Sequence, residues 1–398
     1  MREYFKIWAS AAAILALMQS LSMAQDQKLG WHLGRSRVNV KMANLGILGA
    51  AEKEPAFRYD TVSDDMESDL LLLNGVDDSL APIPEESCPS AESCCVKCYE
   101  FWEHRDALWG EFLYLRPRGA DVIFATPVDG PITNQRLVGA QAVADFEYDS
   151  GFRVGGSWAI DQCSSFTGNY TWYQADSNDG VILPGGGSYL RTDTVHSSTV
   201  NVAGDPLSAR AHYGFDMQAI DLNYKALLWG GDCHAVNYLF GLKYARVEQE
   251  LGVAYSELTN TNVDTNVDFN GVGPRFGFEA ERSLGDCGVL LYTKGTVNFL
   301  FGSSSSNYLQ TNDFTIVQVQ SSLRETRVVT VPEFEMGAGW QSCNGCFRIT
   351  AGYYLASWFN MMTTPEYLST VREIPNSFER QVKTLTLDGM SIRAEFRF

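Results

Sequence analysis

Charged side chains recur at every second position in several segments of the chain after residue 107. Alternation of this kind places the charges on one face of a β-strand and apolar residues on the other. In a strand that crosses a membrane within a closed barrel, the charged face lines the lumen, where charges pair or select ions. The lumen and selectivity candidates are Glu111, Arg153, Asp221, Lys225, Glu279, Lys294, Glu333, Glu335, Arg348, Arg393 and Glu395, with Asp149, Lys243, Arg275 and Arg397 on the same face.

The nine cysteines are the second group of residues with chemical potential. Cys95 and Cys98 have the spacing of zinc ligands, but no second pair of this kind and no matching histidine pair follows them. We therefore expect disulfides and no metal site, and the odd number leaves one thiol for a disulfide-linked neighbour or for no partner. The disulfide candidates are Cys88, Cys94, Cys95, Cys98, Cys163, Cys233, Cys287, Cys343 and Cys346.

Histidines near one long polar connection raise the question of hydrolysis. His196 and His212 lie close in sequence to Asp193, Asp205 and Ser197, and a hydrolase needs a histidine beside a serine or an aspartate. No recognisable motif joins these residues, so we assign no catalytic residue. No glycine-rich phosphate loop is present either, and we expect no cofactor.

The first 24 residues have the three zones of a secretory signal peptide. Arg2 and Lys6 precede an apolar run from residue 7 to residue 18, and the small residues Ser22 and Ala24 form a cleavage pattern. A membrane-spanning helix needs about 20 apolar residues, and no later run approaches that length. We therefore predict export with cleavage after Ala24.

The formal net charge of −18 argues against nucleic-acid binding, which needs clustered lysine and arginine. Residues 25–106 lack sustained periodicity and contain acidic and proline-rich stretches. We interpret them as a periplasmic leader that carries four of the cysteines. The remaining segment, residues 107–398, is the predicted barrel domain.

The final strand has the clearest pattern in the chain. From Met390 to Phe398 every second residue is apolar, and the intervening residues are Ser391, Arg393, Glu395 and Arg397. A terminal strand that ends on phenylalanine is typical of proteins inserted by the bacterial barrel-assembly machinery. Phe396 and Phe398 are therefore the predicted insertion signal, and the machinery, periplasmic chaperones and outer-membrane lipid are the predicted partners.

Weaker copies of the same alternation bring the predicted total to about ten strands, or twelve if residues 176–210 contain a hairpin. Tight turns near Cys163, Cys233, Cys287 and residues 343–346 alternate with long polar connections, as in bacterial barrels with short periplasmic turns and long extracellular loops. The long connections are predicted at 119–144, 176–210, 250–269, 303–326 and 361–383. The sequence thus predicts an all-β antiparallel transmembrane barrel in the outer membrane.

Four motifs also resemble a known family: WGEFLYLRP (109–117), GFRVGG (151–156), FNGVGPRFGFE (269–279) and AGYYLASWFN (351–360). In this order they look like landmarks of the Legionella-type major outer-membrane protein family. The resemblance runs with gaps from about residue 109 to Phe398, and it implies a pore-forming barrel. Cysteine-bearing leaders are frequent in Planctomycete members of this broad group, and this chain looks similar.

Passive passage of small solutes or ions is the leading functional hypothesis, and it rests mainly on the resemblance. About eight strands leave an interior that side chains just fill, and the mixed charges favour internal pairing. A structural or adhesive barrel with a filled lumen is therefore the alternative, and an outer-membrane hydrolase is a remote one. Homo-oligomers of the barrel are a further prediction.

Overall fold

A computed structural model describes residues 100–129, 136–183, 188–199, 206–256, 260–285, 288–313, 315–372 and 384–398. The predicted signal peptide, nearly all of the leader, residues 88–98, Asp205 and Cys287 lie outside these ranges. No helix among the described residues is long and apolar enough to cross a membrane.

Ten antiparallel strands form one closed barrel, which confirms the predicted fold class. Around the ring their order is β1-β14-β13-β12-β11-β10-β9-β8-β6-β5, and β5 pairs with β1 to complete the closure. The ring strands are β1 (Ala107–Arg118), β5 (Asp149–Asp161), β6 (Ser164–Ile182), β8 (Ser208–Gly231), β9 (His234–Ser256), β10 (Asn260–Leu284), β11 (Val289–Asn312), β12 (Thr315–Gln341), β13 (Phe347–Trp358) and β14 (Leu385–Arg397).

Two of the predicted long connections are wrong, because strands occupy most of them. Residues 250–269 belong largely to β9 and β10, and residues 303–326 largely to β11 and β12. The connections at 119–144, 176–210 and 361–383 are long, although β6 extends to Ile182 and β8 already begins at Ser208. The start of β1, the end of β14 and the turn at Cys163 lie at the same end of the barrel, which we call the turn end. We call the opposite end the loop end.

The outward face of the barrel wall is apolar near the turn end and polar near the loop end. This change explains why the two strand regions were predicted as loops. In β10 the outward residues near the turn end are apolar, such as Phe276 and Phe278, each about half exposed. Nearer the loop end the outward residues are polar, such as Asp264, while Val263, Val267 and Phe269 point inward and are fully buried. Asparagine and aspartate in this half of the strand therefore resemble a loop, although the alternation continues.

The outward apolar side chains form a belt around the turn-end half of the barrel, as expected for a lipid-facing surface. Trp158 and Trp340 belong to it, in the position of an aromatic girdle. A register shift between Leu227 and Trp229 turns the Trp229 side chain outward as well, where it is 63% exposed.

Four short strands and one helix lie outside the ring. β2 (Val122–Asp129), β3 (Arg136–Leu137), β4 (Ala142–Ala144) and β7 (Ser188–Thr192) form a small sheet, and α1 (Thr364–Arg372) precedes β14. Their apolar residues, including Phe124, Leu190 and Leu368, join the inward residues of the loop-end half in one hydrophobic core. We call the described segments 119–129, 136–148, 188–196 and 359–372 the inserts, because they pack against the inward face of the wall.

Candidate functional site: the barrel lumen

All eleven lumen candidates lie on the inward face of the ring, in its turn-end half. They alternate there with the outward belt, so that Glu111 is 5% exposed while its neighbour Phe112 is 50% exposed. The structure brings most of these side chains together in ion-paired groups.

The most deeply buried group is a quartet of charges from four strands. Lys243 Nζ lies 2.9 Å from Asp221 Oδ1 and 2.9 Å from Glu333 Oε1. Arg275 Nη1 lies 3.2 Å from Asp221 Oδ1 and 2.9 Å from Glu333 Oε2. The four side chains are 4–7% exposed, and the two positive charges balance the two negative ones. This charge quartet lies between the polar half of the lumen and the hydrophobic core.

A second group surrounds Arg153, nearer the turn end. Its guanidinium lies 2.8 Å from Glu111 and 3.7 Å from Glu335, and it packs over the Tyr354 ring at 5.0 Å. Glu335 also accepts a hydrogen bond of 2.8 Å from the Tyr292 hydroxyl. One arginine therefore serves two carboxylates.

The other lumen charges form pairs closer to the rim, with one exception. Lys225 pairs with Glu279 at 2.7 Å, Arg348 with Glu281, and Glu395 with both Arg393 and Arg397. Lys294 faces Glu279 and Glu335 across neighbouring strands. Within the described residues, however, its ammonium makes no hydrogen bond and no ion pair within 4.0 Å.

A cavity of about 110 Å³ remains between these groups and the turn end, and we call it the vestibule. Residues 100–106 lie across its mouth and form what we call the strap. His104 holds the strap with two hydrogen bonds, from Nδ1 to Ser165 (2.8 Å) and from Nε2 to Asn237 (2.9 Å). Burial, together with repulsion from Lys225, lowers the pKa of His104.

Hydrogen bonds attach the inserts to the wall at the loop end. The Tyr255 hydroxyl donates to the Phe124 carbonyl in β2 and lies 2.8 Å from Thr194 Oγ1. The Tyr308 hydroxyl donates to the Thr194 carbonyl at 3.1 Å. These polar contacts lie inside a hydrophobic core, so they fix the position of the inserts.

Sequence reasoning missed the strap and the inserts. Tyr255 and Tyr308 lie in segments predicted as loops, so their inward direction was not visible. The sequence signal that could have revealed these strands is the alternation of Val263, Thr265 and Val267 with polar residues, which continues without interruption through the predicted loop.

The described residues do not assemble a catalytic site from the two loop histidines. His196 hydrogen-bonds Ser198 at 2.7 Å, two residues away, and His212 hydrogen-bonds Asn178 at 2.9 Å on the outer face. No cluster of metal-ligating residues is found in the described part of the chain. Cys163 and Cys346 are free, exposed thiols at the turn end.

Comparisons with known proteins identify the family. Among solved structures, the Escherichia coli outer membrane protease OmpT is 10% identical and matches 75% of this chain and 99% of its own, with a TM-score of 0.39. The Pseudomonas putida toluene transporter TodX is 8% identical and matches 74% and 89%, with a TM-score of 0.18. A search of curated proteins gives no match. The family model described as Legionella pneumophila major outer membrane protein precursor matches residues 105–398, so the chain belongs to this family and is a β-barrel of the bacterial outer membrane.

Proposed function

We propose that this outer-membrane barrel is a gated pore for small solutes or ions, and that the described conformation is its closed state. One observation carries the proposal: the inserts, not the ring, close the loop-end half of the lumen. All ten ring strands pair with their neighbours independently of the small sheet and α1. The inserts can therefore leave without opening the ring.

The turn-end half provides the route through the membrane. Its inner face is polar, and the vestibule already offers space beside the strap. Closely spaced charges of both signs favour small ions over large solutes. A large solute would have to separate ion pairs, and every separated pair leaves a desolvated charge. We place the constriction of this route at the charge quartet, whose side chains are the most deeply buried of the lumen charges.

The energetics of the inserts predict rare openings. Each large apolar side chain that leaves the core, such as Phe124 or Leu368, loses about 1.5–3 kcal/mol of burial. Most of this cost is offset, because a released segment regains conformational freedom worth about 1–2 kcal/mol per residue. The net cost is then a small difference between large terms, and we expect brief openings from a mostly closed channel.

Planar-bilayer recording of the refolded chain tests this gate. Tyr255→Phe with Tyr308→Phe removes three insert-to-wall hydrogen bonds, worth about 0.5–1 kcal/mol each. The double variant should raise the open probability by about tenfold to a hundredfold. Tyr173→Phe is the matched control, because this buried hydroxyl donates to Leu115 in the wall, not to an insert.

The second candidate is a structural or surface-interaction barrel whose lumen stays filled. The continuous hydrophobic core of the loop-end half favours it, since such a core is typical of permanently packed proteins. A folded, heat-modifiable barrel that never conducts, either as wild type or as the double tyrosine variant, would establish this candidate and exclude the pore.

We propose no enzymatic activity, because the described histidines do not face a nucleophile with an orienting acid. The proposed partners are outer-membrane lipid, the barrel-assembly machinery and periplasmic chaperones, with homo-oligomers or disulfide-linked neighbours as further proposals. Disulfide pairing and cleavage of a signal peptide also remain proposals for the residues outside the described ranges.

A further inference from the structure

The charges around the vestibule do not balance. The lumen carboxylates below the quartet are Glu111, Glu279, Glu281, Glu335 and Glu395, and each lies within 4.0 Å of an arginine or lysine. The lumen cations at the same level are Arg153, Lys225, Lys294, Arg348, Arg393 and Arg397, and the strap adds Glu103 and Arg105, whose opposite charges cancel. One positive charge is therefore in excess, and Lys294 is the cation without an ion pair.

Further hydrogen-bond donors at the vestibule wall have no partner. The Nε atoms of Arg348 and Arg393 are buried and make no hydrogen bond, although other atoms of both guanidinium groups bind carboxylates. Arg348 as a whole is 4% exposed. Leaving a buried donor unpaired costs free energy, and leaving a net charge in a narrow lumen costs more. The cavity thus contains an unmatched positive charge, and its wall contains buried donors that no carboxylate satisfies.

We propose that the vestibule is a binding site for one small oxyanion, a carboxylate or a phosphate, with Lys294 as its principal contact. A negative ion removes the charge excess and accepts a hydrogen bond from the Lys294 ammonium, whereas a cation would increase the imbalance. The cavity of about 110 Å³ accommodates a small ion but no extended solute. This site does not depend on whether the barrel conducts.

Isothermal titration calorimetry on the refolded full chain tests the site, with inorganic phosphate and acetate as probes and choline as the cationic control. Lys294→Met removes the charge at similar length, and Lys294→Arg retains it. Phosphate or acetate should bind the wild type. Lys294→Met should weaken binding about tenfold to a hundredfold, while Lys294→Arg changes it by less than about threefold. A stronger signal with phosphate than with acetate would identify the preferred oxyanion.

Iodide quenching of tryptophan fluorescence gives a second test that needs no variant. Trp102 and Trp109 line the vestibule, so iodide that enters the site quenches them and bound phosphate protects them. The proposal is overturned if neither phosphate nor acetate binds the wild type, or if Lys294→Met binds as tightly as the wild type. Iodide quenching that phosphate leaves unchanged would also contradict it.

Discussion

Removal of Lys243 from the charge quartet measures whether the lumen is filled. Lys243→Met leaves Asp221 and Glu333 with only Arg275 between them, at 3.2 and 2.9 Å. All these side chains are at most 7% exposed, so water cannot replace the missing ammonium without entering the lumen. Breaking a buried pair by removing one partner costs about 3–5 kcal/mol, and we expect a loss near 3 kcal/mol because Arg275 remains.

Urea unfolding of the barrel in lipid vesicles, followed by tryptophan fluorescence and by heat modifiability, provides the free energies. Glu333→Gln added to Lys243→Met restores a neutral Arg275–Asp221 pair, so the double variant should recover about 1–3 kcal/mol relative to additivity. Arg116→Gln is the control, since its pair with Asp145 is solvent-exposed and is worth at most about 1 kcal/mol. A cost below about 1 kcal/mol for Lys243→Met would show that water already hydrates the quartet, and the closed lumen would be refuted.

Three further outcomes can be checked on the same preparation. The pKa of His104 lies below its usual value of 6.5, so the detached strap binds more protons than the attached one. Attachment of the strap should therefore weaken as the pH falls below 6.5. Limited proteolysis of the wild type and of His104→Gln checks this. A bulky maleimide should label Cys163 and Cys346 in permeabilised cells but not in intact ones, whereas labelling of intact cells would contradict a periplasmic turn end. Phe398→Ala should reduce assembly in cells with little effect on the urea stability of the refolded barrel, because Phe398 is 70% exposed.

The turn-end half of the fold could be predicted because its residues alternate with strong contrast. In β14 the outward Met390 and Ile392 are about half exposed and the inward Ser391 is 1% exposed, as the alternation requires. The strands beyond the belt were underestimated, because water faces their outer side. There the outward residues of β10 are asparagine and aspartate, and only the inward residues such as Val263 and Phe269 mark the strand.

The identity of the lumen residues could be predicted, but their partners could not. The alternation along each strand places Glu333 and Lys243 on the inward face. Their strands are not adjacent in the ring, however, so no local sequence pattern predicts their contact. The same limit applies to Tyr255 and Phe124, which are far apart in sequence and meet only because β2 enters the barrel. Contacts across the lumen depend on the ring closing with its observed register.

The change in polarity along the barrel wall also bears on whether the lumen charges are evidence for a pore. A strand in the outer membrane needs an apolar outer face, and an equally apolar inner face would make it a continuous apolar run during export. Alternation with charged residues keeps mean hydropathy at −0.14 over the whole chain. The charges of the quartet are therefore explained by export and internal pairing even in a barrel that never conducts. Beyond the membrane this constraint disappears, and the inner face becomes apolar as in a water-soluble protein. It follows that the mobility of the inserts, and not the charge of the lumen, distinguishes a pore from a permanently filled barrel.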